Sequence, residues 1–422
     1  YNNKKTINKL KPLMINKISP LAPKILKSMK PISGVNIYTY CANLYNYNRL
    51  DVLLFIFDSE LNIAEVFTNS KTRSITIDWN IKNLKKGKIK ALLVNSGNAN
   101  TFTGKVGELA LNSLVNFIGR KFKINSNKIF VASTGVIGEP FPFKKIIKSI
   151  DNYDKNKKSN WLNAAKAIMT TDTFPKLKSV NTSIQGKKVI INGIAKGSGM
   201  IAPNMATMLG FIFTDANVSR PVLQSLLKEI NEHSFNSITV DGDESTNDTV
   251  MLISTNNSKN RLINNKNDKL LKNFKVKLNE VMSDLAEQIV KDGEGASKLV
   301  EVSVVGAKNA NSAKLIARSV AESPLVKTAI HGEDPNWGRI IMAIGKTKED
   351  INTTKLKIKI GNKLVATNGS KSLKYKESEL KKYMKSNKIK ILIDLGVGKS
   401  NAKMITCDYS YDYIRINASY KT

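Results

Sequence analysis

Short apolar runs of strand character alternate along this chain with stripes at helical spacing, and that alternation restricts it to mixed α/β architectures. The run at 91–94 is extended and ends in the polar loop 95–100. Beyond it Leu111, Leu114, Val115 and Ile118 fall at i, i+3, i+4 and i+7 on one helix face. A strand-like run at 129–132 then enters the loop Ser133-Thr134-Gly135-Val136-Ile137-Gly138. The second half keeps this grammar without repeating the sequence. Ser219 stands where it could cap a helix whose Leu223, Leu226, Leu227 and Ile230 form one stripe, and a further helix carries Leu278, Val281, Met282, Leu285 and Ile289. Strands are predicted at 300–305, 356–360, 388–394 and 414–418, with surface loops at 155–159 and 258–268. A chain of 422 residues can form several domains or one large α/β body assembled from two halves, and no fixed-period repeat divides it.

Several function classes fall away on composition. The longest apolar runs, such as 52–57, are far short of the roughly 20 residues that span a bilayer, so no membrane partner is predicted. The lysine-rich first thirty residues lack the apolar core of a secretory signal and the arginine bias of a mitochondrial presequence. Cys41 and Cys407 lie at opposite ends with no CxxC or zinc-ligand spacing, which excludes a disulfide framework and fits a reducing cytoplasm. The formal charge of +33 would by itself suggest nucleic acid. Its lysines, however, are scattered among asparagine and isoleucine in every region, as at 155–158, with few arginines. Nucleic-acid readers gather arginine and aromatic side chains on one surface, so the charge reads as solvated surface and no nucleic-acid partner is predicted.

The most unusual segment is AKGSGMIAPNMATMLGFIFTDA at 195–216. It contains no GxxxxGK[ST], and Gly197-Ser198-Gly199 does not lead from a strand into a helix as a dinucleotide fingerprint must. The segment makes chemical sense if the Ala206–Thr207 bond is cut. A threonine hydroxyl needs a base, and the two histidines, His233 and His331, sit in no triad-like pattern. Cleavage would give Thr207 its own α-amine, whose pKa near 7.7 to 8.0 suits a general base at neutral pH. The bare pattern fits equally a glycine-rich loop entering a core strand, with Thr207 merely opening the strand.

This segment resembles the cleavage site of the ornithine acetyltransferases, also called bifunctional glutamate N-acetyltransferases, where a closely similar run holds the catalytic threonine. The resemblance extends in order and spacing through NSGNAN (95–100), ASTGVIGEPFP (132–142), AIMTTDTFPK (167–176), VDGDESTNDT (240–249), KDGEGASK (291–298), HGEDPNWGRI (331–340) and the terminal NASYKT. It runs from Pro31 to the end and is weakest over 38–49. It implies an α/β (α+β) fold of stacked mixed sheets with flanking helices, built from two self-cleaved halves. These are an alpha chain, 31–206, and a beta chain, 207–422, after an N-terminal extension, 1–30; they pair into an α2β2 assembly.

By the same resemblance Thr207 is the acetylated nucleophile and Thr134 with Gly135 forms the oxyanion hole. Thr173, Lys196, Glu294, Asn417 and Thr422 would contact substrate. Lys196 suits an amino-acid carboxylate, while Glu294 could meet the amine of ornithine or orient Lys196; the sequence leaves both roles open. The segment ending in Thr422 must fold back over the site. The implied reaction moves acetyl from N-acetylornithine to glutamate, with acetyl-CoA as a second donor in some members, and requires neither metal nor organic cofactor. Asp241-Gly242-Asp243-Glu244 lacks the glycine and distal glutamate of a calcium loop. His331 has no partner at zinc spacing, and its segment is expected to be a packed turn close to the site.

Overall fold

A computed structural model describes residues 17–26, 28–85, 87–202 and 208–419. Strands β1 (Val35–Tyr40), β2 (Val52–Phe67), β3 (Lys88–Asn95), β4 (Ile129–Ser133), β5 (Lys176–Ile184), β6 (Lys187–Lys196), β7 (Leu209–Thr214) and β8 (Thr249–Ser254) form the first mixed sheet. Its order is β4-β3-β2-β8-β7-β6-β5, with β1 paired to β2. A second mixed sheet holds β9 (Leu299–Ala307), β10 (Lys357–Ile360), β11 (Lys363–Thr367), β12 (Ser370–Lys371), β13 (Lys388–Asp394) and β14 (Ser400–Cys407) in the order β12-β11-β10-β13-β9-β14.

Helices cover both sheets, as the alternating apolar patterns require. The helices α1 (Ile75–Leu84), α2 (Gly104–Phe122) and α3 (Phe143–Asp151) pack on one face of the first sheet, against Val52, Leu54 and Leu93, while Phe211 and Phe213 of β7 join the core of the opposite face with α4 (Trp161–Ala167). Ile212 points the other way, into the core shared with α5 (Arg220–His233) and α6 (Leu271–Lys291). The predicted stripes are the buried ones: Leu223, Leu226, Leu227 and Ile230 on α5, and Leu278, Val281, Met282, Leu285 and Ile289 on α6. The second sheet packs on α7 (Ala310–Ala321), α8 (Pro324–His331), α9 (Trp337–Gly345) and α10 (Glu377–Met384), while α6 touches both β5 and β14 and so joins the two layers.

Two local expectations need correction. The segment 414–418 is not a strand; it lies in α11 (Tyr411–Ser419). Ile414 and Ile416 alternate with Arg415 and Asn417, which mimics a strand, but Ser410 Oγ accepts the Asp412 N–H at 3.2 Å and starts a helical turn, and α11 lies outside both sheets. Ser219 does occupy the N-cap of α5, with its carbonyl accepting the Leu223 N–H, yet its hydroxyl makes no capping bond and is buried without a partner. The backbone bond to Ile263 O fixes Ser219 instead.

Strand register gathers one end of the first sheet into a site. Asn95 pairs with Ser133 at the ends of β3 and β4, Lys196 at the end of β6 pairs with Leu209, and Leu209 pairs with Thr249 at the start of β8. The loops leaving these strand ends therefore converge, the usual location of chemistry in a mixed sheet.

Candidate active site

The loops 95–100 and 133–138 interlock through their backbones. Thr134 N–H donates to Asn95 O at 3.1 Å, Ala99 N–H to Val136 O at 2.9 Å, and Asn100 N–H to Ser133 Oγ at 3.1 Å. Gly135 has φ +130°, and a Cβ there would lie 2.4 Å from the carbonyl carbon of Gly97, so only glycine permits this approach. The Thr134 N–H is committed to Asn95, so of Thr134 only the hydroxyl can serve as a donor to the cavity, beside the Gly135 N–H.

Lys196, 3% exposed at the end of β6, points its ammonium at Thr134, with Nζ 3.3 Å from Oγ1. Since the lysine donates, the threonine hydroxyl keeps its own proton to offer elsewhere. Burial lowers the Lys196 pKa from its ordinary value, and the neighbouring Lys176 adds to the effect against the attraction of Asp172. Glu294 follows the end of α6. Its N–H donates to Ser198 O at 3.2 Å and its Oε2 accepts from Asn417 Nδ2 at 2.7 Å. This bond brings α11 over the site, in the direction the sequence requires of the C-terminal segment.

Thr134, Gly135, Lys196, Glu294 and Asn417 all line one small cavity. Thr173 does not line it. Its hydroxyl donates to Asp292 and accepts the Ser19 N–H at 3.0 Å, which places it one shell behind. Ala206, Thr207 and Thr422 lie outside the described residues. Sequence reasoning missed Thr170, Thr171, Ser245 and Asn247, which complete the cavity wall. Their signal was present, since all four fall inside the polar motifs at 167–176 and 240–249, but spacing alone does not say which hydroxyl of a TTDT run faces inward.

Beneath the cavity Lys176 is fully buried between Asp172 Oδ1 at 2.6 Å and Asp292 Oδ2 at 2.5 Å. Asp172 also accepts the Gly197 N–H at 2.8 Å, and Ser198 Oγ donates to the Asp292 carbonyl at 2.5 Å. Burial opposes ionisation of Asp172, but Lys176, Lys196 and these donors overcome it and hold the carboxyl well below its usual range. Asp241 belongs to the acidic string considered as a calcium loop. It accepts the N–H groups of Met200 and Ile201 at 2.6 and 2.8 Å, so it anchors the segment leading to position 203. His331 ends α8 and bonds Asp408, which also holds Ser297 Oγ and the N–H groups of Ser297 and Lys298. Its connection to the site therefore runs through the segment that carries Glu294.

One buried lysine, one carboxylate, a hydroxyl and a backbone N–H around a small cavity form a set able to hold a zwitterionic amino acid and to donate to a developing oxyanion. A family model described as the ArgJ family matches residues 37–422. The chain belongs to the ArgJ family. It is 44% identical over 412 residues to an arginine biosynthesis bifunctional protein ArgJ of Bartonella quintana (strain Toulouse), covering 97% of this chain and all of that one. It is 46% identical over 409 residues to the namesake of Brucella suis biovar 1 (strain 1330), covering 96% and 99%. A crystal structure of an arginine biosynthesis bifunctional protein ArgJ from Bacillus halodurans aligns at 40% identity and TM-score 0.48, over 50% of this chain and 98% of that one. This ArgJ-family chain is an acyltransferase of arginine biosynthesis. Among its described residues no helix is long and apolar enough to cross a membrane.

Proposed function

We propose that the chain cleaves itself between Ala206 and Thr207, and that Thr207, with its new α-amine as base, carries acetyl from N-acetylornithine to glutamate. The α-amine takes the hydroxyl proton as Oγ1 attacks the acetyl carbonyl. The tetrahedral oxyanion forms against the Thr134 hydroxyl and Gly135 N–H, and as it collapses the Thr207 ammonium returns the proton to the departing nitrogen, which releases ornithine. Glutamate then attacks the acetyl-threonine in the same pocket. Lys196 takes the α-carboxylate common to both amino acids, and Glu294, steadied by Asn417, takes an ammonium group. Thr422 is a further substrate contact, and Thr173 supports the pocket through Asp292. The halves are 31–206 and 207–422, joined as α2β2.

The observation that carries this reading is the convergence of Thr134, Gly135, Lys196, Glu294 and Asn417 on one cavity at the sheet end from which the 197–208 segment departs. Two measurements test it. Denaturing mass spectrometry should find two fragments for the wild type, divided before Thr207, and one intact chain for Thr207→Ala. Incubation with N-acetylornithine should release ornithine stoichiometrically with acetylglutamate when glutamate is present. Free acetate formed without glutamate would instead make the protein a hydrolase.

A further inference from the structure

We propose that Asp248 is a positioning residue for the nucleophile, holding the peptide that joins position 207 to Met208 from the start of β8. This rests on the proposed role of Thr207. Oδ1 of Asp248 accepts the Met208 N–H at 2.5 Å, and the next residue, Thr249, donates its own N–H to Met208 O at 3.1 Å. Both backbone polar groups of Met208 are thus gripped by two consecutive residues of one strand start, and the parallel pairing Leu209 to Thr249 continues the register from there. Displacement of a reacting group by about 1 Å can cost on the order of a hundredfold in rate, so a clamp one bond away from the nucleophile is well placed to set that geometry.

The remaining oxygen makes the clamp unusual. Asp248 is 0% exposed and its Oδ2 has no hydrogen-bond partner among the described residues. Burial pushes the carboxyl well above the usual carboxylate range, against the Met208 N–H and the Lys196 ammonium facing it from β6, while Glu244 adds to the push from the 241–247 loop. Burial thus favours the neutral form of the acid that makes the bond. An anion beside a free α-amine would hold that amine as ammonium and deprive the hydroxyl of its base; a neutral carboxyl grips the same peptide without doing so.

The test compares Asp248→Ala and Asp248→Asn with the wild type, following self-cleavage by mass and kcat, KM and the kcat–pH profile of acetyl transfer. Asp248→Ala is expected to lower kcat by about tenfold or more with KM within about twofold, and Asp248→Asn to recover most of the loss. The acid limb of the Asn variant should coincide with that of the wild type. A limb displaced downward by about half a unit or more would mean that an anion had been removed and would overturn the neutral clamp. Wild-type kcat and pH profile in Asp248→Ala would overturn the positioning role. If the alanine variant fails to fold, the asparagine pH limb alone decides. Thr207→Ala separates the layers: if it still transfers acetyl, the nucleophile assignment fails whatever Asp248 does.

Discussion

The carboxylate of Glu294 rests against the α-carbon of Gly199, so that a Cβ added at position 199 would stand 2.5 Å from Glu294 Cδ. Asn417 holds the same carboxylate from α11 at 2.7 Å. Glycine at 199 is thus what leaves room for the carboxylate in the cavity. The clash falls on the far end of a flexible side chain, which can swing aside, so Gly199→Ala should fold normally. Its KM for N-acetylornithine should rise by about tenfold, equivalent to ~1.4 kcal/mol, with kcat less affected. An unchanged KM in steady-state kinetics would remove Glu294 from substrate binding.

At Gly135 a Cβ meets backbone rather than a mobile side chain, 2.4 Å from Gly97 C and 2.5 Å from Asn98 N, at a φ that L-residues avoid. The loops cannot part without breaking their interlocking bonds. Gly135→Ala should therefore displace the N–H that faces the oxyanion and lower kcat by roughly 10²- to 10³-fold. Thr134→Val, which keeps the shape and removes the hydroxyl, should fall by a similar factor while Lys196 loses its 3.3 Å partner. Single-turnover acetylation of the protein by N-acetylornithine reads both losses directly, and a Thr134→Val variant with wild-type acetylation would exclude that hydroxyl from the oxyanion hole.

The sequence carried the elements well where burial is one-sided. The α5 and α6 stripes and the strand 388–394 are all pinned by period, because a slip would turn apolar side chains to water. It misread 414–418, where exposed Ile414 takes no part in a core and one serine hydroxyl decides the local backbone. In the site, Lys196 and Gly135 were legible through the resemblance and through their chemistry. Thr173 was expected at the substrate, whereas its hydroxyl is spent on Asp292 and the neighbouring Thr170 and Thr171 face the cavity. Which of three nearby threonines turns inward depends on a buried aspartate more than a hundred residues away, and no local pattern encodes that.

Asp241 gives the protein a pH-dependent term. Burial raises its pKa from 3.8 to about 6, against three backbone N–H donors, and the Glu294 charge adds to the rise. A carboxyl whose folded pKa lies above its unfolded value binds a proton more tightly in the fold. Its contribution to stability is therefore full below about pH 4 and is lost as pH rises through about 6. Relative to Asp241→Asn, which stays neutral, the wild type should lose roughly 3 kcal/mol of unfolding free energy between pH 4 and 7. Paired thermal melts of the two proteins across that range check the sign, and a difference that is flat or runs the other way would show that Asp241 is ionised throughout.

Lys176 offers the most direct link between the interior and the site. Its ammonium is fully buried between Asp172 and Asp292, and each aspartate holds a different segment behind the cavity wall: Asp172 through the Gly197 N–H, Asp292 through Thr173 and, by its carbonyl, Ser198. Replacing Lys176 with Met preserves most of the volume but leaves two carboxylates facing each other, with Lys196 acting on Asp172 and the cation between them gone. Removing one member of a buried ion pair typically costs about 3–5 kcal/mol, much of it the price of the stranded charge. The 196–199 turn is tied to both aspartates, so Lys196 and Gly199 should shift with them. Lys176→Met should therefore lower the unfolding temperature and, in the molecules that remain folded, slow self-cleavage as well. Adding Asp292→Asn to Lys176→Met removes one stranded charge and should recover part of the stability without restoring the rate, because Thr173 then meets an amide in place of a carboxylate. Melting temperature and cleavage half-time, measured on the three proteins, separate the two effects; full recovery of both in the double variant would mean that Lys176 acts only as a counter-charge and has no part in shaping the turn.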